Sequence, residues 1–250
     1  YNKHMQIVMY VSPNMTSNFT IRENFIGEIQ DMEGYISLLT TGRREAMLVD
    51  ELVDPEEVAA ISSKFGCYAL DLEGCIILLH PSVLRRLEDS LARSHFCIVD
   101  VHPRCKRPVL LDDKMTGVFA SAFQSLLEHL KQAMARKPAA GDEKSRILTF
   151  PAPLPCSPVA ILGWLLGYPV IYTVGLPEAS KNSASTGGNC LGAVPLCVFS
   201  AEEIGLNFSV PSALLTAPGV KKVLTEFLAT MKKRKVRVEK TVVTLPTVAL

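Results

Sequence analysis

The chain has 250 residues, 48% hydrophobic and 20% charged, with 26 Lys+Arg against 25 Asp+Glu and a formal net charge of +1. The apolar fraction excludes a disordered chain. Near-neutrality excludes a global field drawing it to nucleic acid or a membrane surface, so a charged partner must meet a local patch. Residues 1–250 read as one α/β domain, long enough to bury roughly three quarters of its unfolded surface. Its only candidate internal boundary is 137–145, KPAAGDEKS, which has linker composition.

Met5 to Val11 is a continuous apolar run that predicts a strand, and Ile21 to Leu39 carries helical spacing at Phe25, Ile26, Ile29, Ile36 and Leu39. Ala46 to Val49 is a short strand. A helix start follows, with Asp54 as N-cap, Pro55 at the first helical position and Gly66 as the stop. Cys67 to Asp71 and Cys75 to Leu79 predict a hairpin around Asp71-Leu72-Glu73-Gly74. His80-Pro81 opens a helix through Leu84, Leu87 and Leu91, and His95 to Val101 is a buried strand.

After Asp112 comes the clearest amphipathic helix, with Met115, Val118, Phe119, Ala122, Leu126, Leu127, Leu130 and Met134 on one stripe. Strands are expected at Ile147 to Phe150, Val170 to Val174 and Ala193 to Phe199, with a polar loop from Gly175 to Gly192. The apolar stretch Val159 to Val174 is shorter than the ~20 residues that span a bilayer. Gly163, Gly167 and Pro169 interrupt it, so it predicts a buried helix and strand without membrane insertion. Val220, Val223, Leu224, Phe227, Leu228 and Met231 mark a last helix, and Val236 to Leu245 a last strand. The alternation predicts an α/β fold in three layers, a mixed parallel and antiparallel sheet with helices on both faces.

The seven cysteines form no C-x-x-C pair, and several sit inside apolar runs such as Cys75-Ile76-Ile77-Leu78-Leu79. This is the usage of a reducing compartment, so a cytoplasmic or nuclear location is expected. Three glycosylation sequons at Asn14, Asn18 and Asn207 point the other way, and a start at Tyr1 leaves a removed signal peptide open.

The expected place for chemistry is the carboxyl ends of the strands, where open α/β sheets bind ligands. His80 ends one strand, and Asp100-Val101-His102 ends another. Strand alternation would point Asp100 and His102 the same way, so the pair is a candidate general base or the beginning of a metal site. Catalytic candidates are therefore His102, Asp100 and His80. The plain alternative is that histidine before proline ends a strand and begins a turn. Cys105, between Arg104 and Lys106, is the candidate reactive thiol because cations lower a thiol's pKa. Its bland reading is an incidental surface cysteine.

Ser185-Thr186-Gly187-Gly188-Asn189 lacks the lysine and following helix of a phosphate loop. No nucleophile elbow or zinc-protease motif occurs. Neither a cofactor nor a bound metal is implied. Lys232, Lys233, Arg234 and Lys235 are the one concentrated basic patch. They read first as cations complementing the end of a helix, and nucleic acid is not an expected partner.

Gly167-Tyr168-Pro169-Val170-Ile171-Tyr172-Thr173, Asn189-Cys190-Leu191 with Pro195-Leu196, Phe208-Ser209-Val210-Pro211 and Val243 to Leu250 together form a pattern across residues 160–250. It resembles the uncharacterised vertebrate family named after open reading frame 74 of human chromosome 1. The resemblance implies an intracellular, animal-specific protein and brings no catalytic residue with it. The leading expectation is an interaction or adaptor domain with a protein partner. The alternative is a hydrolase-like or ligand-binding enzyme at Asp100, His102 and His80.

Overall fold

The computed structural model describes residues 36–49, 55–136, 146–175, 189–246 and 248. The expected strand at Met5 to Val11, most of the helix from Ile21, the Asp54 cap and the 137–145 linker lie outside the described residues, as does most of the 175–192 loop. The elements follow as a helical segment at 36–40, β1 (Ala46–Val49), α1 (Pro55–Phe65), β2 (Tyr68–Leu72), β3 (Cys75–Leu79) and α2 (Val83–Ala92). Next come β4 (Cys97–Asp100), β5 (Val109–Leu110), α3 (Asp113–Ala135), β6 (Ile147–Thr149), α4 (Pro158–Leu166) and β7 (Val170–Thr173). The chain closes with β8 (Pro195–Ala201), β9 (Leu206–Pro211), α5 (Pro218–Lys233) and β10 (Glu239–Thr244).

Pairing is mixed, as the sequence predicts, and it is divided among three sheets in the orders β1-β3-β2-β6, β5-β4-β7 and β10-β8-β9. Two pairs are parallel, β2 with β6 and β4 with β7; the others are antiparallel. Strand alternation assigns the faces. In the first sheet Leu70, Leu72, Ile77 and Leu79 turn towards α2, α3 and α4. Met47, Ala69 and Leu78 turn towards α1 and the 36–40 helix. In the second sheet Ile98 and Ile171 face those same three helices, while Cys97, Val99, Val170 and Tyr172 face α5 and the third sheet. The strands β4 and β7 thus lie between two hydrophobic cores.

Local sequence explains the punctuation. Leu72 pairs with Cys75, so the hairpin turns on Glu73-Gly74 alone, both with positive φ, and Asp71 Oδ1 accepts from the Gly74 amide at 2.8 Å. Asp112 Oδ1 caps α3 through the Met115 amide at 2.8 Å, and Ser157 Oγ caps α4 through the Ala160 amide at 3.3 Å with Pro158 behind it. The α3 stripe is rotated slightly from its expected position. Phe123 is fully buried against Trp164, with ring centroids 4.7 Å apart, whereas Val118 faces solvent. Strands β5 and β9 were not expected. The first is only two residues long, and the second is broken in composition by Asn207 and Ser209.

Candidate functional site

The parallel pair β4 and β7 has two ends, and each gathers polar groups. At the carboxyl end, β4 stops at Asp100. The alternation expected to align Asp100 with His102 therefore does not extend to the histidine, which sits in the following turn. Asp100 Oδ1 accepts from the His102 backbone amide at 2.9 Å and from the Gly175 amide at 3.3 Å. The His102 ring uses Nδ1 to accept from the Arg104 amide at 3.1 Å. In this arrangement the carboxylate holds two backbone loops together, and the imidazole is oriented by a backbone amide. An aspartate that orients a general base instead accepts from the ring N–H.

Cys105 corrects an expectation. Its thiol approaches Asp100 Oδ2, at 3.8 Å, although Arg104 and Lys106 flank it in sequence. Burial raises its pKa first, and the Asp100 carboxylate raises it further, which opposes formation of a thiolate. Beside it, the Cys190 amide donates to Val101 O at 3.0 Å, and the hydroxyls of Ser157 and Thr173 share a bond at 3.0 Å. The polar groups at this end serve one another.

His80 belongs to a different neighbourhood. Its amide donates to Glu45 O at 2.9 Å and its Nδ1 lies 2.8 Å from Ser82 Oγ, at the start of α2. Asp100 and His102 share one turn; the hydrogen bonds of His80 are with Glu45, Ser82 and Val83. Among the described residues no group of three or more His, Cys, Asp or Glu side chains is placed to hold a metal ion.

The amino end of the same strand pair opens into a cleft of about 260 Å3. Here His95 and Phe96 lead into β4, Gly167 to Pro169 lead into β7, and α5 closes one side through Val223, Phe227 and Arg234. Both α2 and α4 end at this cleft, at Arg93 and Gly167, which brings their negative ends beside it. Such ends attract cations. Arg86 answers α4, donating from Nη1 to Trp164 O at 3.4 Å and from Nη2 to Leu165 O at 2.5 Å, while its Nε meets Glu45 Oε2 at 2.5 Å.

Gly167 adopts a left-handed φ of 78°, and a Cβ there would stand 2.8 Å from Arg86 Nη1. The left-handed backbone favours glycine, and an added Cβ would displace the Arg86 guanidinium. Arg44 donates to the carbonyls of Ala46 at 2.8 Å and Ile204 at 3.0 Å, to that of Gly205, and to the Tyr168 hydroxyl. Arg234 donates to the carbonyl of Arg43, and the Arg43 guanidinium reaches Glu203 at 3.5 Å.

Arg234 thus turns away from the basic run that carries it in sequence. Arg237 is tied down as well, through its amide to Glu203 Oε1 at 2.6 Å and its guanidinium to Glu239 at 3.2 Å. Lys232 and Lys233 occupy the last turn of α5, as expected. A second depression, of about 370 Å3, is lined by a single stretch of chain between Leu228 and Val238 and lies open to solvent. Sequence reasoning missed the cleft because its arginines at 43, 44, 86, 93 and 234 have no common spacing. The one signal was a run of cations placed around helix ends.

The large apolar side chains exposed among the described residues are Val109, Val118, Leu228 and Val242, on four separate elements. Among the described residues no helix is long and apolar enough to cross a membrane. A family model described as a domain of unknown function (DUF4504) matches residues 30–250. No curated protein and no solved structure matches the chain.

Proposed function

The chain belongs to this family of unknown function, and on that premise we propose that it is a small-molecule-binding α/β domain whose site is the cleft at the amino ends of β4 and β7. The observation that carries the reading is the composition of the cleft. It combines aromatic walls, Phe96, Trp164, Tyr168 and Phe227, with convergent guanidinium groups in about 260 Å3. A concave site with an apolar lining and a few placed polar groups is the general form of a ligand pocket. Its volume falls below the roughly 300–1,000 Å3 of drug-sized sites, so the ligand is small.

Catalysis at Asp100, His102 and His80 has less support. Asp100 serves the amides of His102 and Gly175. An adaptor role for a protein partner would call for a contiguous apolar face. Among the described residues the large exposed apolar side chains, Val109, Val118, Leu228 and Val242, lie on four separate elements. The seven cysteines, all free thiols, support a reducing cytoplasmic or nuclear setting, in line with the resemblance to an intracellular vertebrate family.

Native mass spectrometry of the purified full chain tests the binding reading, together with a thermal-shift screen of small metabolites. A stoichiometric adduct, or a stabilising ligand whose effect is lost in Phe227→Ala, is the expected result. A chain that is stabilised only by compounds indifferent to Phe227 would overturn it.

A further inference from the structure

The cleft also has a sign. Five guanidinium groups line it, from Arg43, Arg44, Arg86, Arg93 and Arg234, against the carboxylates of Glu45 and Asp89. Counting Glu203 and Glu226, which pair with Arg43 and His95 at 3.5 and 3.8 Å, still leaves five positive groups against four negative ones.

Part of the excess has a structural purpose. Arg86 and Arg44 satisfy carbonyls at the ends of α4 and of the turn at Ile204-Gly205, and Arg234 satisfies the Arg43 carbonyl. A carbonyl partner takes an N–H without cancelling the charge, because guanidinium stays protonated. Arg44 and Arg234 therefore fix the cleft wall while leaving it electropositive, whereas the charge of Arg86 is met by Glu45 at 2.5 Å. Arg93 is different. It is exposed at the cleft mouth as the C-cap residue of α2, and its guanidinium has no hydrogen-bond or ion-pair partner among the described residues. It lines the same cleft as the rings of Tyr168 and Phe227.

We infer that the ligand carries a phosphoryl dianion, received by Arg93 under the field of Arg44 and Arg234, with a short apolar or aromatic body against Tyr168 and Phe227. This rests on the binding reading above and specifies its ligand. A phosphoryl group suits the site better than a carboxylate for two reasons. It brings a second negative charge to a locally positive cavity, and with two oxygens on the planar Arg93 fork a third remains for the field of Arg44 and Arg234. The negative ends of α2 and α4 oppose any anion, and the Arg86 bonds to the α4 carbonyls remove much of that opposition.

Isothermal titration of the full chain with four probes tests the inference: inorganic phosphate, phenyl phosphate, benzoate and benzyl alcohol. Phenyl phosphate is expected to bind at least about tenfold more tightly than benzoate, with affinity falling as salt rises. Arg93→Gln should lose about tenfold of the phenyl phosphate affinity, and Arg93→Lys should recover only part of it because a lysine lacks the fork. Inorganic phosphate binding as tightly as phenyl phosphate would keep the anion site and remove the apolar contact from the inference. If benzoate or benzyl alcohol binds as well as phenyl phosphate, or if Arg93→Gln leaves phenyl phosphate binding unchanged, the cleft still binds small molecules and the phosphoryl assignment is wrong. If none of the four binds, and no adduct is carried through purification, both readings fall together.

Discussion

The two ends of the β4–β7 pair contrast in how their polar groups are used. At the carboxyl end every group singled out has a local partner: Asp100 holds the amides of His102 and Gly175, Cys105 faces Asp100, and Ser157 meets Thr173. At the amino end Arg86 and Arg43 meet the carboxylates of Glu45 and Glu203, while Arg44 and Arg234 donate to carbonyls, which take hydrogen bonds and leave positive charge in place. Open parallel sheets ordinarily bind at the carboxyl side. Here β4 and β7 form a parallel pair inside a three-stranded sheet, and two helices end beside its opposite edge. In this fold arginines surround a polar cavity where helices stop, at the end opposite to the one where parallel sheets ordinarily bind.

The contrast can be broken most strongly at Arg86. Arg86→Met strands Glu45 and the Trp164 and Leu165 carbonyls, and should cost about 3–5 kcal/mol in urea unfolding. A loss below about 1 kcal/mol would mean that the guanidinium is no staple. At the other end, Asp100→Ala leaves two amides without an acceptor and should cost about 2 kcal/mol, while Asp100→Asn keeps one acceptor oxygen and should cost less. The same Asp100→Asn change should speed Cys105 alkylation at pH 8, since it removes a carboxylate that raises the thiol pKa. An unchanged alkylation rate would place the thiol out of reach of Asp100.

Between the two ends, burial pushes the thiols of Cys97 and Cys156 up to about 12 from 9.0. Folded values raised in this way mean stability that is fully present below pH 9 and is lost as pH climbs towards 12. The loss is about 1.4 kcal/mol per pH unit for each thiol. Denaturation midpoints across pH 8 to 11 check this, and Cys97→Ala with Cys156→Ala should flatten the slope. The smallest effect is expected at the cleft mouth. Arg93→Gln should change stability by less than about 0.5 kcal/mol, since the side chain is exposed and has no partner among the described residues. A larger change would assign it a structural role.

Much of the fold was legible because periodicity and capping are local. Asp112, Ser157 with Pro158, and the Glu73-Gly74 turn all act within four residues of themselves. The division into three sheets was not, since strands of similar composition pair according to contacts far apart in sequence. The site fared likewise. Asp100 and His102 drew attention as neighbours in the chain, yet the cleft joins Arg44 to Gly205 and Arg86 to Leu165, separations that no spacing pattern encodes. The thiol of Cys105 makes the same point, because its flanking cations mattered less than a carboxylate five residues away.

Trp164 is the only tryptophan in the chain, and it lines the cleft while its indole N–H reaches Ser90 Oγ at 3.2 Å. The protein therefore contains its own optical reporter. Emission from a single buried indole, stacked on Phe123, registers any change in polarity or in Ser90 contact at the cleft wall without a label or a second fluorophore of its kind.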